Sequence, residues 1–315
     1  MWLVFAASRV ILPDQRNSLK FYSNQTRHDI KLVYHRALKK AQHSIFLSVY
    51  GITDPDILSI LRQKAEINIP ISIEYDPSAS SNLKKILPPS VNVHPVKSKG
   101  LMHRKIVSID HAQVFLGSAN LTTSSLRHHD NLVLGLYNPS LAAFLEHPYA
   151  ASFSFDLINQ QGAVYLLPDP EQAGLKRLLK CLNDAKVNIS IAMFTLTHPA
   201  IAESLIQAQK RGIAVTIAVD YYTAKGASKK TLRVLEKEGI RILNSQGRQL
   251  LHHKWALIDG QILIMGSANW TKAAFSKNHD FLFFLSPLNQ NQIKFFKKIW
   301  ETIELESTTA VERKF

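Results

Sequence analysis

Six residues at fixed spacing, five of them polar, occur twice in this chain. His103, Lys105, Asp110, Gly117, Ser118 and Asn120 recur 149 positions later as His252, Lys254, Asp259, Gly266, Ser267 and Asn269. Each copy reads His-x-Lys, four residues, Asp, six residues, Gly-Ser-Ala-Asn. A packing pattern would repeat apolar residues, whereas these side chains do chemistry, and two equal sets predict one site assembled from two halves. Histidine titrates near neutral pH and serves as nucleophile, general acid or general base. Residues two apart on a strand share a face, so each His-x-Lys directs an imidazole and an ammonium into one pocket. Ser118, Asn120, Ser267 and Asn269 add neutral donors, and the preceding glycines allow close backbone approach. A site so rich in donors and positive charge suits a phosphodiester passing through a charged pentacoordinate transition state. The sequence lacks the clustered carboxylates that hold magnesium or calcium, so metal-independent catalysis without a cofactor is expected.

The elements that position these residues repeat as well. Ile45–Arg62 matches Ile189–Gln207, with Pro55 and Pro199 144 positions apart, and strand-like ISIEYD ending at Asp76 matches VTIAVD ending at Asp220. The offset then grows to 149, which places about five extra residues in the second half, within the Gly/Ser/Lys-rich stretch Tyr221–Lys230. Apolar spacing predicts helices over Asp29–Gln42 and Leu175–Ala185, then strands Ser44–Tyr50 and Asn188–Phe194. Helices opening at Pro55 and Pro199 follow, then strands Ile69–Tyr75 and Ala214–Val219, and Val91–Pro95 and Gly239–Leu243. The motifs span hairpins, Lys105–Ile109 with Val114–Gly117 and Lys254–Ile258 with Ile262–Gly266, turning at Asp110-His111 and Asp259-Gly260. This alternation predicts an α/β fold: two similar lobes, each a mixed sheet flanked by helices, with one active site between them. The lobes are assigned to residues 1–155 and 156–315, joined within Pro148–Gly162 without a flexible linker.

Composition narrows the partners. A net charge of +14 and a pI near 9.7 point to a polyanion, either nucleic acid or an anionic membrane surface. The single cysteine, Cys181, excludes an intramolecular disulfide and is compatible with a reducing compartment such as the cytoplasm. Trp2–Ala7 is too short to span a bilayer and lacks a basic stretch before it; it reads as a first strand or packing segment, or else as the remnant of a longer hydrophobic N-terminus. A soluble or peripheral-membrane protein is therefore expected.

The paired motifs resemble the signature of the phospholipase D superfamily, His-x-Lys-x4-Asp followed by Gly-Ser-x-Asn, present twice in bilobal members. Both copies match at every signature position, and the repeat covers about residues 29–300. The resemblance implies that His103 attacks phosphorus to form a covalent phosphohistidine. It further implies that His252 protonates the leaving alkoxide and then activates water. Lys105 and Lys254 would neutralise the non-bridging oxygens, with Ser118, Asn120, Ser267 and Asn269 as further phosphate ligands. A downstream acid orients each histidine in such enzymes. Asp130 and Asp280, 13 and 14 residues after their glycines, are carried over to that part. Asp110 and Asp259 fall at the hairpin turns, roughly 16 Å along the strand from the chemistry, and read as structural.

Other residues read more simply. His253 alternates to the far face and reads as a packing or surface residue; His128 and His129 lack the matching ligands of a metal site; Phe281–Leu285 reads as core. Lys84-Lys85, Lys229-Lys230 and Lys297-Lys298 read mainly as solvated helix faces. Tyr221, Tyr222 and Trp270 follow strand ends and are candidates for lining the substrate groove. The expected activity is phosphodiester cleavage, of phospholipids with release of phosphatidic acid. A metal-independent endonuclease is the alternative, and a phosphatidyltransferase or a non-catalytic binding protein stands behind both. Because the lobes are fused, a monomeric pseudo-dimer is expected, with no obligate protein partner.

Overall fold

The computed structural model describes residues 10–246 and 249–309. The Trp2–Ala7 segment lies outside these residues. The first lobe contains strands β1 (Leu19–Ser23), β2 (Ile45–Val49), β3 (Ile71–Tyr75), β4 (Asn92–Pro95), β5 (Lys105–Ile109), β6 (Gln113–Gly117), β7 (His129–Asp130) and β8 (Leu132–Tyr137). The second contains β9 (Ser152–Leu157), β10 (Gln160–Leu166), β11 (Asn188–Met193), β12 (Ala214–Val219), β13 (Arg241–Ser245), β14 (Leu250–Leu251), β15 (Lys254–Ile258), β16 (Ile262–Gly266), β17 (Phe281–Ser286) and β18 (Ser307–Thr309). The first sheet has the order β1-β8-β6-β5-β2-β3-β4, and the second β18-β13-β12-β11-β15-β16-β17-β10-β9. Stripped of its edge strands β18 and β9, the second sheet repeats the first strand for strand. The expected boundary at residues 155 and 156 falls inside β9, which belongs to the second sheet.

Local chemistry explains where the elements start. Asp29 accepts the Leu32 N–H and caps the helix Ile30–Lys40, and Asp54 caps the helix Pro55–Glu66, whose proline needs no N–H partner. In each lobe three parallel strands, β2–β4 and β11–β13, carry crossover helices that bury Ile, Leu and Val against one sheet face. The antiparallel hairpins β5–β6 and β15–β16 then lie beside β2 and β11. At their turns Asp110 and Asp259 adopt left-handed backbone, with φ of 54° and 53°. Each carboxylate accepts three consecutive backbone N–H groups, of Gln42 to Ser44 and of Lys186 to Asn188. These signature aspartates thus tie the hairpin to the strand beside it. The extra residues of the second lobe form a short helix, Tyr221–Lys225; beyond it Ser228 accepts the Leu196 N–H as Ser80 accepts that of Ile52.

A third core lies between the lobes. Ile106, Leu116 and Leu134 from the first sheet pack with Trp255, Met265 and Phe283 from the second, and with Phe296 and Ile299 of the helix Gln290–Leu305. The histidine strands β5 and β15 are therefore held by sheets that cannot move independently without opening apolar surface. Trp270, a candidate for the groove, is 1% exposed and sits in the second lobe's own core. Its backbone continues the strand end, but the indole turns inward against apolar neighbours.

Candidate active site

The two halves of the repeat meet through reciprocal contacts. His103 N–H donates to the His279 carbonyl of the other lobe at 2.8 Å, and His252 N–H donates to the Asp130 carbonyl at 3.0 Å. Strand β14, just before His252, pairs in parallel with β7 across the lobe boundary. Both histidines are nearly buried, at 8% and 7% exposure. Each lysine folds back onto its own motif: Lys105 Nζ donates to the His103 carbonyl at 2.7 Å and Lys254 Nζ to that of His252 at 2.9 Å.

The glycines and serines explain themselves through the neighbouring strand. A Cβ on Gly117 would stand 2.3 Å from the Leu132 carbonyl oxygen, and one on Gly266 2.2 Å from that of Phe281. Only glycine lets these strands approach so closely. The approach brings Leu132 N–H to Ser118 Oγ at 3.1 Å and Phe281 N–H to Ser267 Oγ at 3.0 Å. Ser118 Oγ in turn donates to Asn131 Oδ1 at 2.8 Å, and Ser267 Oγ to Asp280 Oδ1 at 2.6 Å. The expectation that these serines bind phosphate is corrected here: both are buried and their hydroxyl hydrogens are committed inside the protein. Asn120 and Asn269 are half-buried, and their side-chain oxygens are buried without a protein partner.

Asp280 reaches across the lobes to His103 Nδ1 at 2.7 Å. Asp130 does not do the same for His252. Asn131 Oδ1 occupies that place, 3.0 Å from His252 Nδ1. The correction is one of register: Asp280 lies 149 positions after Asn131, so Asn131 is its true counterpart, and Asp130 alternates to the other side of its strand. Asp130 instead contributes its carbonyl to His252, while its buried Oδ2 has no partner and burial, then Glu306, pushes the carboxyl up to about 7.

Electrostatically the site is short of negative charge. Burial, then Lys105, pulls His103 below its ordinary value, against the opposing pull of Asp280. His252 is drawn well below the ordinary value by burial, then Lys254, Lys105, His103 and His129. Burial lowers Lys105 to about 7 and, with Lys105 as neighbour, takes Lys254 well below its usual range. Burial alone would raise Asp280, but the charge and hydrogen bond of His103, with Lys105 and Ser267, hold it below the ordinary carboxylate range. Asp280 faces both lysines and His103, Asp220 acts on Lys254 alone, and an anion entering the site favours the charged form of the lysines.

Two residues that motif reading missed complete the walls. The Tyr50 ring lies 5.2 Å from the His103 ring and 5.3 Å from Lys105 Nζ; the Phe194 ring lies 5.0 Å from both the His252 ring and Lys254 Nζ. Their signal was the shared offset of 144 from strand ends β2 and β11, an aromatic in each copy. His253 is fully buried and bonds Gln25 Oε1 at 2.7 Å, and His129 stands 5.6 Å from the His252 ring. Tyr222 is exposed and lines, with Tyr221, Asp220 and Gln249, a cavity of about 310 Å³. Among the described residues no group of three or more His, Cys, Asp or Glu is placed to hold a metal ion.

Comparison with known proteins gives the same pairing of halves. The family model for the cardiolipin synthase, PLD-like domain matches residues 34–151 and again 178–300. The human mitochondrial cardiolipin hydrolase is 30% identical over 138 residues, 43% of this chain and 54% of that protein. A probable cardiolipin synthase of Bacillus subtilis (strain 168) is 22% identical over 294 residues, 78% of this chain and 58% of that one. The matched region thus spans little more than half the length of these relatives. The crystal structure of phosphatidylserine synthase from Haemophilus influenzae superposes with a TM-score of 0.76 at 13% identity, covering 95% of this chain and 88% of that one, a likeness of fold. With both motif copies matched and the bilobal fold in place, the chain belongs to the phospholipase D superfamily, in the family of the cardiolipin synthase, PLD-like domain.

Proposed function

We propose that this chain is a metal-independent phosphodiesterase that cleaves phospholipids and releases phosphatidic acid through a covalent phosphohistidine. The observation that carries this reading is the pair of buried histidines, one from each lobe, each braced through Nδ1 by the other lobe. Bracing at Nδ1 leaves Nε2 of each ring for chemistry. His103 Nε2 attacks phosphorus and the P–N bond forms, while the bond to the leaving alkoxide breaks and His252 gives that oxygen its proton. His252, now neutral, takes a proton from water; the water oxygen bonds to phosphorus and the electron pair of the P–N bond returns to His103. Lys105, Lys254, Asn120 and Asn269 stabilise the non-bridging oxygens, and Asp280 supports the positive ring of His103 through the covalent stage.

A lipid substrate is favoured by the relatives, since the names of the human, Bacillus and Haemophilus proteins all refer to phospholipid metabolism. The net charge of +14 suits an anionic membrane surface. Among the described residues no helix is long and apolar enough to cross a membrane. The fused lobes complete one site without a second copy. The test is a product analysis in excess EDTA with wild type and His252→Ala, given phospholipid vesicles, single-stranded DNA and RNA. Phosphatidic acid that disappears in the variant, by the ~10²–10⁴ expected for a lost acid/base, is the expected result. Cleaved oligonucleotide with intact vesicles would make the protein a nuclease, and activity abolished by EDTA would end the metal-free mechanism.

A further inference from the structure

The two orienting residues are chemically unequal, although everything around them repeats. Leu132 N–H, Ser118 Oγ, Asn131 Oδ1 and His252 Nδ1 form one relay; Phe281 N–H, Ser267 Oγ, Asp280 Oδ1 and His103 Nδ1 form the other. The orientation of the Asn131 amide is fixed by its partners. Its Nδ2 faces the carbonyl oxygens of Ser125 and His129 at 2.8 and 3.2 Å, which only a donor satisfies. Oδ1 therefore accepts, and the facing His252 Nδ1 must carry the hydrogen. Asn131 is fully buried, so no water competes for that bond.

We propose that Asn131 is the positioning residue of His252, holding it as the Nδ1–H tautomer while withholding the counter-ion that Asp280 gives His103, so that the two histidines have fixed and unequal parts. This rests on the phosphodiesterase reading above. The groups that face His252 are Lys254 on its own strand, Lys105 and His103 across the cleft, and His129 beside it. None of these supplies negative charge, and the nearby carboxyl of Asp130, which makes no hydrogen bond to the His252 ring, is pushed by burial and Glu306 up to about 7. A phosphoimidazolium bears its charge for the lifetime of the intermediate and belongs on the carboxylate-backed ring. A ring backed by an amide gives up its proton readily, which makes it a strong acid in the first step and returns it to the neutral base needed in the second.

The experiment is Asn131→Asp, nearly isosteric, assayed as a pH profile on a short-chain phosphatidylglycerol. The first step needs His252 protonated. The new carboxyl can hold its proton towards the Ser125 and His129 carbonyl oxygens at low pH; once ionised it raises the pKa of His252, so the basic limb of kcat/KM is expected to move up by about one to two pH units. The second step needs His252 neutral, so phosphoenzyme trapped by an alkaline detergent quench, in which a P–N bond survives, is expected to accumulate at neutral pH. A uniform loss of activity with unmoved limbs would mean that Asn131 is only structural, and the proposal would be wrong. An independent readout needs no variant: the ¹⁵N histidine spectrum of the wild type should show His252 as the Nδ1–H tautomer, and the Nε2–H form would overturn the proposal even if Asn131→Asp failed to fold. Loss of the phosphodiesterase reading would show separately, as His103→Ala and His252→Ala variants with undiminished turnover.

Discussion

At the residue scale the site turns on which member of an adjacent pair faces inward. Asp130 and Asn131 both lie close to His252, yet only Asn131 meets its ring. Asp130 is expected to matter for stability. Its carboxyl rises from an ordinary 3.8 to about 7 on folding. Below about pH 3 it is neutral in both states. Between there and pH 7 the unfolded chain loses its proton while the folded protein keeps it, so stability falls as pH rises and the full penalty applies above 7. Asp130→Asn removes that penalty. At pH 8 it is expected to be more stable than wild type by on the order of 4 kcal/mol, with no difference at pH 3 and turnover retained. Chemical denaturation at the two pH values checks it; equal stability at pH 8 would show that the buried carboxyl finds a partner.

At the element scale the Gly-Ser-x-Asn segments set the distance between neighbouring strands, and that distance sets the histidine braces. Gly117→Ala would drive a methyl into the Leu132 carbonyl, 2.3 Å from its ideal position, and push β6 from β8. The Ser118–Asn131 relay crosses that gap, so His252 in the other lobe would lose its brace. The expected outcome is a destabilisation of 1–3 kcal/mol from overpacking, together with a fall in kcat that exceeds the change in KM. Steady-state kinetics on the folded variant decides it; wild-type kcat would uncouple strand spacing from catalysis.

At the scale of the whole molecule the lobes share a core and should unfold together. Phe296 packs on Phe21 of the first lobe, 5.1 Å between centroids, and on Trp255 of the second at 5.5 Å. Phe296→Ala is expected to cost about 3–5 kcal/mol while keeping a single transition, seen when tryptophan fluorescence and activity are lost at the same denaturant concentration. Two separated transitions would show that the lobes fold independently, with the active site opening before either lobe melts.

Much of this was legible in the chain alone, because a duplication offers its own internal comparison. The repeated His-x-Lys motifs, the hairpins that carry them and the alternation of strands and helices along the chain follow from spacing and periodicity, which are local properties. Lys105–Ile109 and Lys254–Ile258 form strands over those very residues. What lay beyond the sequence depends on contacts between residues far apart. The rotation of Trp270 into its core, the commitment of Ser118 and Ser267 to internal hydrogen bonds, and the choice of Asn131 over Asp130 were decided by tertiary structure. The choice between Asp130 and Asn131 turns on a difference of one position in the chain, and the others on which neighbours the ends of the strands meet. Which face meets the other lobe is settled only when two sheets pack.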